Sequence, residues 1–210
     1  MPFRQLVACF CALAALTIGA RASADDAQLF IEHERIQLDH LLHEKASPGR
    51  DSQINASLDG FVDYGELTRR AFGQPCPAAL PACEDLWSKY SESQRSEVRD
   101  LLSQLVRKSY RKNLMKTLDY SVAYRGTRNV EGDTRVLTEA KSKDKPREPA
   151  VRVDYVVKQT SKGLRVVDIV TEGSSLTKNY YDQFRKKMDN PGEGYSNIVQ
   201  KLREKLAKED

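Results

Sequence analysis

Three histidines in one predicted helix are the first candidates for chemistry, because imidazole is both a metal ligand and a proton carrier. His33, His40 and His43 lie between residues 26 and 46, and at 100° per residue they fall within a stripe of about 80°. Two histidines that bind a metal from one helix usually lie four residues apart. No pair here has that spacing and no fourth ligand is evident, so the pattern favours a solvent-exposed face over a metal site.

One carboxylate, Asp168, lies inside an apolar strand and is a candidate acid or base. The alternative is an aspartate that accepts hydrogen bonds from neighbouring backbone groups, which is the more common arrangement. The sequence holds no GxSxG, Walker, GxGxxG or HExxH motif, and these are the patterns that indicate hydrolase, nucleotide or zinc chemistry. Catalysis therefore has little support, and no cofactor is expected.

Two cysteines, Cys76 and Cys83, lie in the proline-rich segment QPCPAALPACEDLW. They form no CxxC redox motif, and two thiols are too few for a zinc site. In an oxidising compartment such a pair is typical of a small structural disulfide. We therefore predict a Cys76–Cys83 bond.

The N-terminus indicates export. Arg4 is followed by an apolar run over 6–20 and by Ala22-Ser23-Ala24, which is the order of a cleavable signal peptide. The run is short for a membrane-spanning helix, although an uncleaved anchor is the alternative. We predict a signal peptide over 1–24 and one domain over 25–210.

Composition narrows the class of protein. The chain has 210 residues, 34 basic against 30 acidic, with 40% hydrophobic residues. This apolar content excludes a disordered chain, and only the N-terminal run is apolar enough to enter a bilayer. A net charge of +4 with both signs interspersed argues against nucleic acid as a partner. Short basic runs are expected to be solvated, with attraction to phosphate headgroups as the alternative.

The first half of the mature chain is predicted to be helical. Apolar residues recur at helical spacing over 26–46, and a polar break follows over 47–57. Asp63 with Glu66 indicates the start of a short helix that ends at Gly73. Ser91 with Gln94 indicates the start of a long one.

The second half changes to a period of two. Alternation over 118–125 and 151–158, with further segments over 134–140 and 164–171, predicts four strands joined by turns at 131–133 and 161–163. Helices follow over 173–188 and from Tyr195 to the C-terminus. The predicted fold is α+β: a four-stranded antiparallel meander wrapped by N- and C-terminal helices. Whether its apolar face is solid core or lines a cavity is left open.

At this point the chain resembles a known family, MlaC, also called the toluene-tolerance family. The segment LRVVDIVTEGSSLTKNYYDQF over 164–184 is similar to the family's Asp-containing strand followed by EG-x-SLV-x-NYR-x-QF. Upstream, DYGELTRRAFG over 63–73, then Trp87 and the helix over 91–114, match in the same order. The chain departs from the family pattern at Leu164, Val167 and Tyr181, and in an insertion that holds both cysteines.

The resemblance implies a periplasmic, monomeric phospholipid shuttle of a Gram-negative bacterium. Its partners would be an outer-membrane lipoprotein complex and an inner-membrane ABC transporter, contacted transiently, and its role would be to maintain outer-membrane lipid asymmetry. The acyl chains would lie in an apolar cavity between sheet and helices, similar to the nuclear-transport-factor-like cone, with the headgroup exposed. Strand alternation and the flanking helices then predict the lining: Phe72, Leu105, Tyr110, Leu118, Tyr120, Val122, Tyr124, Val151, Val153, Tyr155, Val157, Val166 and Val170.

Two other interpretations compete with the shuttle. A small-molecule enzyme on the same cone would use Asp168 as its base, and it would need a polar pocket. A periplasmic binding or assembly module would have a solid core in place of a cavity. The size and polarity of the space between sheet and helices distinguish these interpretations.

Overall fold

The computed structural model describes residues 23–78 and 80–208, and the predicted signal peptide therefore lies almost wholly outside the described residues. The described helices are α1 (Ala24–His43), α2 (Pro48–Phe61), α3 (Tyr64–Ala71), α4 (Glu92–Thr117), α5 (Leu176–Asp189) and α6 (Tyr195–Lys208). The strands are β1 (Tyr120–Val130), β2 (Asp133–Ser142), β3 (Val151–Thr160), β4 (Gly163–Thr171) and β5 (Ser174–Ser175).

Capping residues set several helix starts where the sequence predicts them. The Asp63 carboxylate accepts a hydrogen bond from the Glu66 backbone N–H at 2.9 Å, which begins α3. At α4 the Ser91 hydroxyl accepts from the Gln94 N–H at 3.3 Å, and the Gln94 side chain accepts from the Ser91 N–H at 2.9 Å. These reciprocal bonds satisfy donors that have no partner inside the helix.

The segment after α1 is helical, so the predicted break over 47–57 is wrong. Ser47 caps α2 by accepting from the Arg50 N–H at 3.1 Å, and Pro48 occupies the first turn. Ile54, Leu58 and Phe61 are the buried residues of α2, spaced four and three residues apart. This stripe has about one apolar residue per turn, which is too narrow to recognise among polar neighbours.

The predicted antiparallel meander is confirmed, in the order β1-β2-β3-β4-β5. The four predicted strands correspond to β1–β4. The two-residue β5, which the sequence did not predict, pairs with the end of β4 through Val170 and Ser175. The Ser175 hydroxyl then accepts from the Lys178 N–H at 3.0 Å and begins α5.

An irregularity in β4 changes which residues face the helices. Val157 pairs with Val166, but Val156 pairs with Asp168, so Val167 has no partner of its own on β3. Because side chains alternate along a strand, one extra residue moves every later side chain to the opposite face. Val166 therefore faces the helices, and Val170 faces away from them.

The main core fills the space between the sheet and helices α3 to α6. Phe72 is fully buried at its centre, with its ring centroid 4.6 Å from that of Phe184 and 5.5 Å from that of Tyr90. The Asp63 N–H donates to the Val166 carbonyl at 3.0 Å, which fixes the start of α3 to β4. A smaller cluster of Leu38, Leu42, Ile54 and Leu58 joins α1 to α2.

An ion-pair network joins α3 to the sheet. Glu66, 9% exposed, accepts from Lys158 Nζ at 2.7 Å and from Arg70 Nη2 at 3.1 Å. Arg69 also pairs with Glu66, at 2.8 Å. Burial raises the pKa of Glu66, but the hydrogen bond from Lys158 and the three positive charges outweigh burial and lower the pKa.

Cys76 and Cys83 form the predicted disulfide. The segment that holds this disulfide begins at Gly73, which follows α3 and has a φ of +77°. A Cβ at Gly73 would lie 2.4 Å from the Glu84 carbonyl oxygen. The Glu84 N–H in turn donates to the Tyr181 hydroxyl at 2.8 Å, so the loop packs between α3 and α5.

Candidate functional site

An apolar cavity of about 290 Å³ lies between the sheet and helices α1 and α4. Valines, tyrosines and alanine of β1, β2 and β3 form its floor, and α1 with the C-terminal half of α4 forms its roof. The full lining is Ile31, Arg35, Leu38, Asp39, Leu42, Phe61, Tyr110, Asn113, Lys116, Thr117, Tyr120, Val122, Thr138, Ala140, Val151, Val153 and Tyr155.

A second compartment of about 590 Å³ adjoins the first and extends toward β5 and α5. The two compartments share Tyr110, Asn113, Thr117, Val153 and Tyr155. The second is completed by Val106, Ser109, Ile169, Thr171, Ser174, Leu176, Asn179 and Tyr180. Together they form one branched space, with Val153 and Tyr155 at the branch point.

The hydroxyls of Tyr110 and Tyr155 are uncharged polar groups at that branch point. Burial raises the pKa of Tyr110 well above its usual value, and the hydrogen bond between its hydroxyl and that of Tyr155 raises it further. Burial also raises the pKa of Tyr155. Both hydroxyls therefore stay protonated and partnered, and the ring of Phe61, 6.0 Å from that of Tyr155, covers them from α2.

The structure brings six of the predicted lining residues together around this space. They are Tyr110, Tyr120, Val122, Val151, Val153 and Tyr155. Five of them follow the alternation of β1 and β3, and Tyr110 follows the helical spacing of α4. Alternation along β1 and β3 therefore places these five residues on the face that lines the space.

Four predicted lining residues belong to the packed core instead. Phe72, Leu105, Val157 and Val166 are at most 3% exposed. Val157 and Val166 share the inward face with Val153, but they are part of the core cluster, and α2 and α3 contact β4 there. These four residues lie inside the packed core and do not line the open space.

Three more predicted residues lie outside the branched space. Leu118 packs against the α1–α2 cluster. Tyr124 lines a separate groove on the outside of α1. The placement of Val170 on the inward face is wrong, because the extra residue at Val167 turns it outward against Val156; Ile169 takes its place in the lining.

Helical residues that the sequence analysis missed form much of the roof. Ile31, Leu38 and Leu42 of α1 and Phe61 of α2 line the cavity. The α1 residues carried a usable signal, since they lie on its apolar stripe. Phe61 lay beyond the segment predicted as a break, and the position of Ile169 depends on a bulge that has no sequence signature.

Charged residues mark the opening of the cavity beside α1. Arg35 and Asp39 line the main compartment and also an outer groove of about 390 Å³. That groove is completed by Glu32, Ile36, His40 and Tyr124. The cavity and the outer groove therefore adjoin beside α1, at a mouth that carries charges of both signs.

The residues considered for catalysis or metal binding form no catalytic or metal site among the described residues. Asp168 faces away from the cavity; its carboxylate accepts from the Ser175 hydroxyl at 2.6 Å and from the Thr177 N–H at 3.0 Å. It therefore fixes the start of α5, as the structural alternative predicts. His33, His40 and His43 are exposed, and no group of three metal-ligating side chains occurs among residues 23–78 and 80–208.

A cleft of about 640 Å³ lies on the opposite face of the sheet, under the disulfide loop. It is lined by ion-paired side chains, including Arg70 with Asp133 at 2.5 Å and Arg135 beside Asp154 at 2.6 Å. Its charges are already neutralised within the fold. It lacks the apolar continuity of the branched cavity.

Comparisons with known proteins agree with this architecture. A family model described as MlaC protein matches residues 34–204. A solved structure from Ralstonia solanacearum, a phospholipid-binding protein in complex with a phospholipid, superposes with a TM-score of 0.66 at 21% identity, covering 90% of this chain and 99% of that one. No curated protein matches the chain. Across the described helices, none is long and apolar enough to span a bilayer.

Proposed function

The chain belongs to the MlaC protein family, and we propose that it binds phospholipid, with the acyl chains in the branched cavity between sheet and helices. The observation that carries this proposal is the apolar, two-compartment space between the sheet and the helices, with a charged mouth beside α1. The Ralstonia relative, which holds a phospholipid, supports the same assignment.

The energetics require such a space. Each methylene group exposed to water costs about 0.8 kcal/mol, so two acyl chains of about fifteen carbons need shelter on the order of 20 kcal/mol. Apolar side chains supply that shelter without any catalytic group. Burial raises the pKa values of Tyr110 and Tyr155 and keeps both hydroxyls uncharged, so the two tyrosines place no charge against a hydrocarbon chain.

We further propose that the protein works as a shuttle. It would carry phospholipid across the periplasm between an outer-membrane lipoprotein complex and an inner-membrane ABC transporter. Release would occur when a docked partner opens the cavity or offers a continuous apolar path. Since the sequence has no ATP-binding motif, the transporter would set the direction, and the shuttle itself would be a monomer.

The proposed location follows from the N-terminal sequence. Removal of residues 1–24 would release residues 25–210 into the periplasm as a single domain. The Cys76–Cys83 disulfide is consistent with an oxidising compartment.

The two competing functions have weaker support. An enzyme on this fold would need a free acid or base in its pocket, but Asp168 faces the other side of the sheet and is hydrogen-bonded to α5. A binding module without lipid would have a filled core where the branched cavity lies. We therefore propose no second function.

The proposal is tested by native mass spectrometry of the full chain, expressed with its own N-terminus and purified from a periplasmic extract without detergent. A phospholipid adduct on the folded protein is expected, and organic extraction would identify the lipid. The protein mass also shows whether residues 1–24 are removed. An unliganded mass, together with no uptake from vesicles, would contradict the lipid-binding proposal.

A further inference from the structure

Arg35 is an unusual residue for the wall of an apolar cavity. It is half-buried on α1 and lines both the main compartment and the outer groove. Burial raises the pKa values of Tyr124, Tyr110 and Tyr155, and the nearby positive charge of Arg35 lowers them in part. The charge is therefore directed toward the point where cavity and groove meet.

Among residues 23–78 and 80–208, this charge has no anionic partner. Among the ion pairs of the described residues, no carboxylate lies within bonding distance of Arg35, although Glu32 and Asp39 lie one turn to either side. Half-buried charges are normally paired, because desolvation without a partner is costly. An unpaired guanidinium at an apolar opening therefore indicates an anion supplied by a ligand.

The acids of the mouth are arranged around the same point. Asp39 lines both spaces with Arg35, and among the described residues it makes one ion pair, a long one of 3.8 Å to His43 Nδ1. Glu32, in the outer groove, accepts one hydrogen bond, from the Gln28 amide at 2.8 Å. The mouth thus offers Arg35, which has no carboxylate partner among the described residues, and two carboxylates next to it.

We propose that this mouth is a headgroup site for zwitterionic phospholipid: Arg35 binds the phosphate, and Asp39 with Glu32 binds the terminal ammonium. This rests on the proposed function. The order of the groups matches the order of the lipid, in which acyl chains, phosphate and amine follow one another outward. Ile36, 65% exposed in the groove, and the Tyr124 ring offer apolar contact to the two methylene carbons that join the phosphate to the ammonium.

The site would discriminate between headgroups. An anionic glycerol headgroup presents the same phosphate to Arg35, but it has no ammonium for the two carboxylates to attract. It therefore leaves Asp39 and Glu32 without a positive partner from the lipid. We expect phosphatidylethanolamine to be bound in preference to phosphatidylglycerol.

In the test, the delipidated mature protein (residues 25–210) is incubated with vesicles of equimolar phosphatidylethanolamine and phosphatidylglycerol. The bound lipids are then quantified by mass spectrometry. For wild type we expect the bound fraction to be enriched in phosphatidylethanolamine. Arg35→Gln should lower total retained lipid about tenfold, since a charge-assisted hydrogen bond is lost. Arg35→Lys, which keeps the charge but not the fork, should retain an intermediate amount.

Asp39→Asn separates selectivity from affinity. It should lower the ratio of bound phosphatidylethanolamine to bound phosphatidylglycerol by roughly threefold, because the free energy of an exposed ion pair is small. The total amount of bound lipid should change less. Arg203→Gln is the matched control, because it removes one positive charge at the Glu97 ion pair on α6, outside the cavity and its mouth. Circular dichroism and the melting temperature report whether each variant is folded.

The outcomes distinguish this inference from the proposed function. If wild type retains lipid but folded Arg35→Gln and Asp39→Asn match it in amount and headgroup ratio, the headgroup site is refuted and the cavity assignment stands. If wild type shows no headgroup preference, the ammonium subsite is refuted. If wild type retains no lipid at all, the proposed function itself fails.

Discussion

Replacing Val122 with glutamate places a carboxylate in the floor of the main compartment. Val122 lies in β1 opposite Ala140 of β2, and both side chains line the cavity. In the empty protein the new carboxylate can remain hydrated through the mouth, so folding should be little affected. Once an acyl chain fills the compartment, that water must leave.

The magnitude follows from the cost of desolvating a charge. Burying an unpaired carboxylate beside hydrocarbon costs several kcal/mol even after relaxation. A loss of about 3 kcal/mol weakens lipid binding by more than a hundredfold. The unfolding free energy should change by less than about 1 kcal/mol, since Val122 is only half-buried and lies on an edge strand.

Ser121→Glu is the matched control, because it introduces the same group one residue away on the opposite face. Ser121 is exposed and lies opposite Lys141, so the new charge gains a cross-strand partner. Lipid retained after vesicle incubation is measured by native mass spectrometry for both variants. If folded Val122→Glu retains as much lipid as Ser121→Glu, the acyl chains do not lie against β1 and the cavity assignment is wrong.

Three further predictions concern the scaffold. Because the folded-state pKa of Glu66 is lowered, its ion pairs stabilise the fold above its ordinary pKa of 4.5, and this stabilisation is lost as pH falls through the folded value. Glu66→Gln should therefore flatten the acid branch of a plot of unfolding free energy against pH, and an unchanged slope would contradict this. Gly73→Ala should lower the unfolding free energy, measured by urea denaturation, by at least about 2 kcal/mol, because the residue has positive φ and a Cβ there would meet a carbonyl oxygen. A decrease below about 0.5 kcal/mol would show that the loop relaxes easily. Replacing Cys76 and Cys83 with serine should lower the unfolding free energy by about 2–3 kcal/mol, because the loop-closure entropy is no longer removed from the unfolded chain. The folded variant should still retain lipid, since the disulfide lies outside the cavity, and loss of lipid would link the loop to the site.

Local signals in the sequence were sufficient for most elements. The capping pairs at Asp63 and Ser91 set helix starts that the structure reproduces. Alternation over 118–125 and 151–158 identified two strands and their inward face. The break predicted over 47–57 failed because a helix needs only one apolar residue per turn when neighbouring elements cover it, and that coverage is a tertiary property.

The candidate site was predictable in part. Val122 and Val153 line the cavity because alternation holds along regular strands. Val170 does not, because the extra residue in β4 reverses the faces beyond it, and the bulge is specified by how β3 and β4 pair across the sheet.

By itself, the sequence determined the α+β class, the antiparallel meander, the disulfide and the apolar face that had to be buried, since each depends on residue types at short spacing. Only the tertiary structure decided how that face is divided. Helices α2 and α3 pack on β4, where Val166 is part of the core, whereas an open space remains between Val122 and Val153 on the sheet and the helices α1 and α4. The same kind of apolar residue is therefore core or binding surface according to which helices, distant in sequence, cover it and how completely they do so.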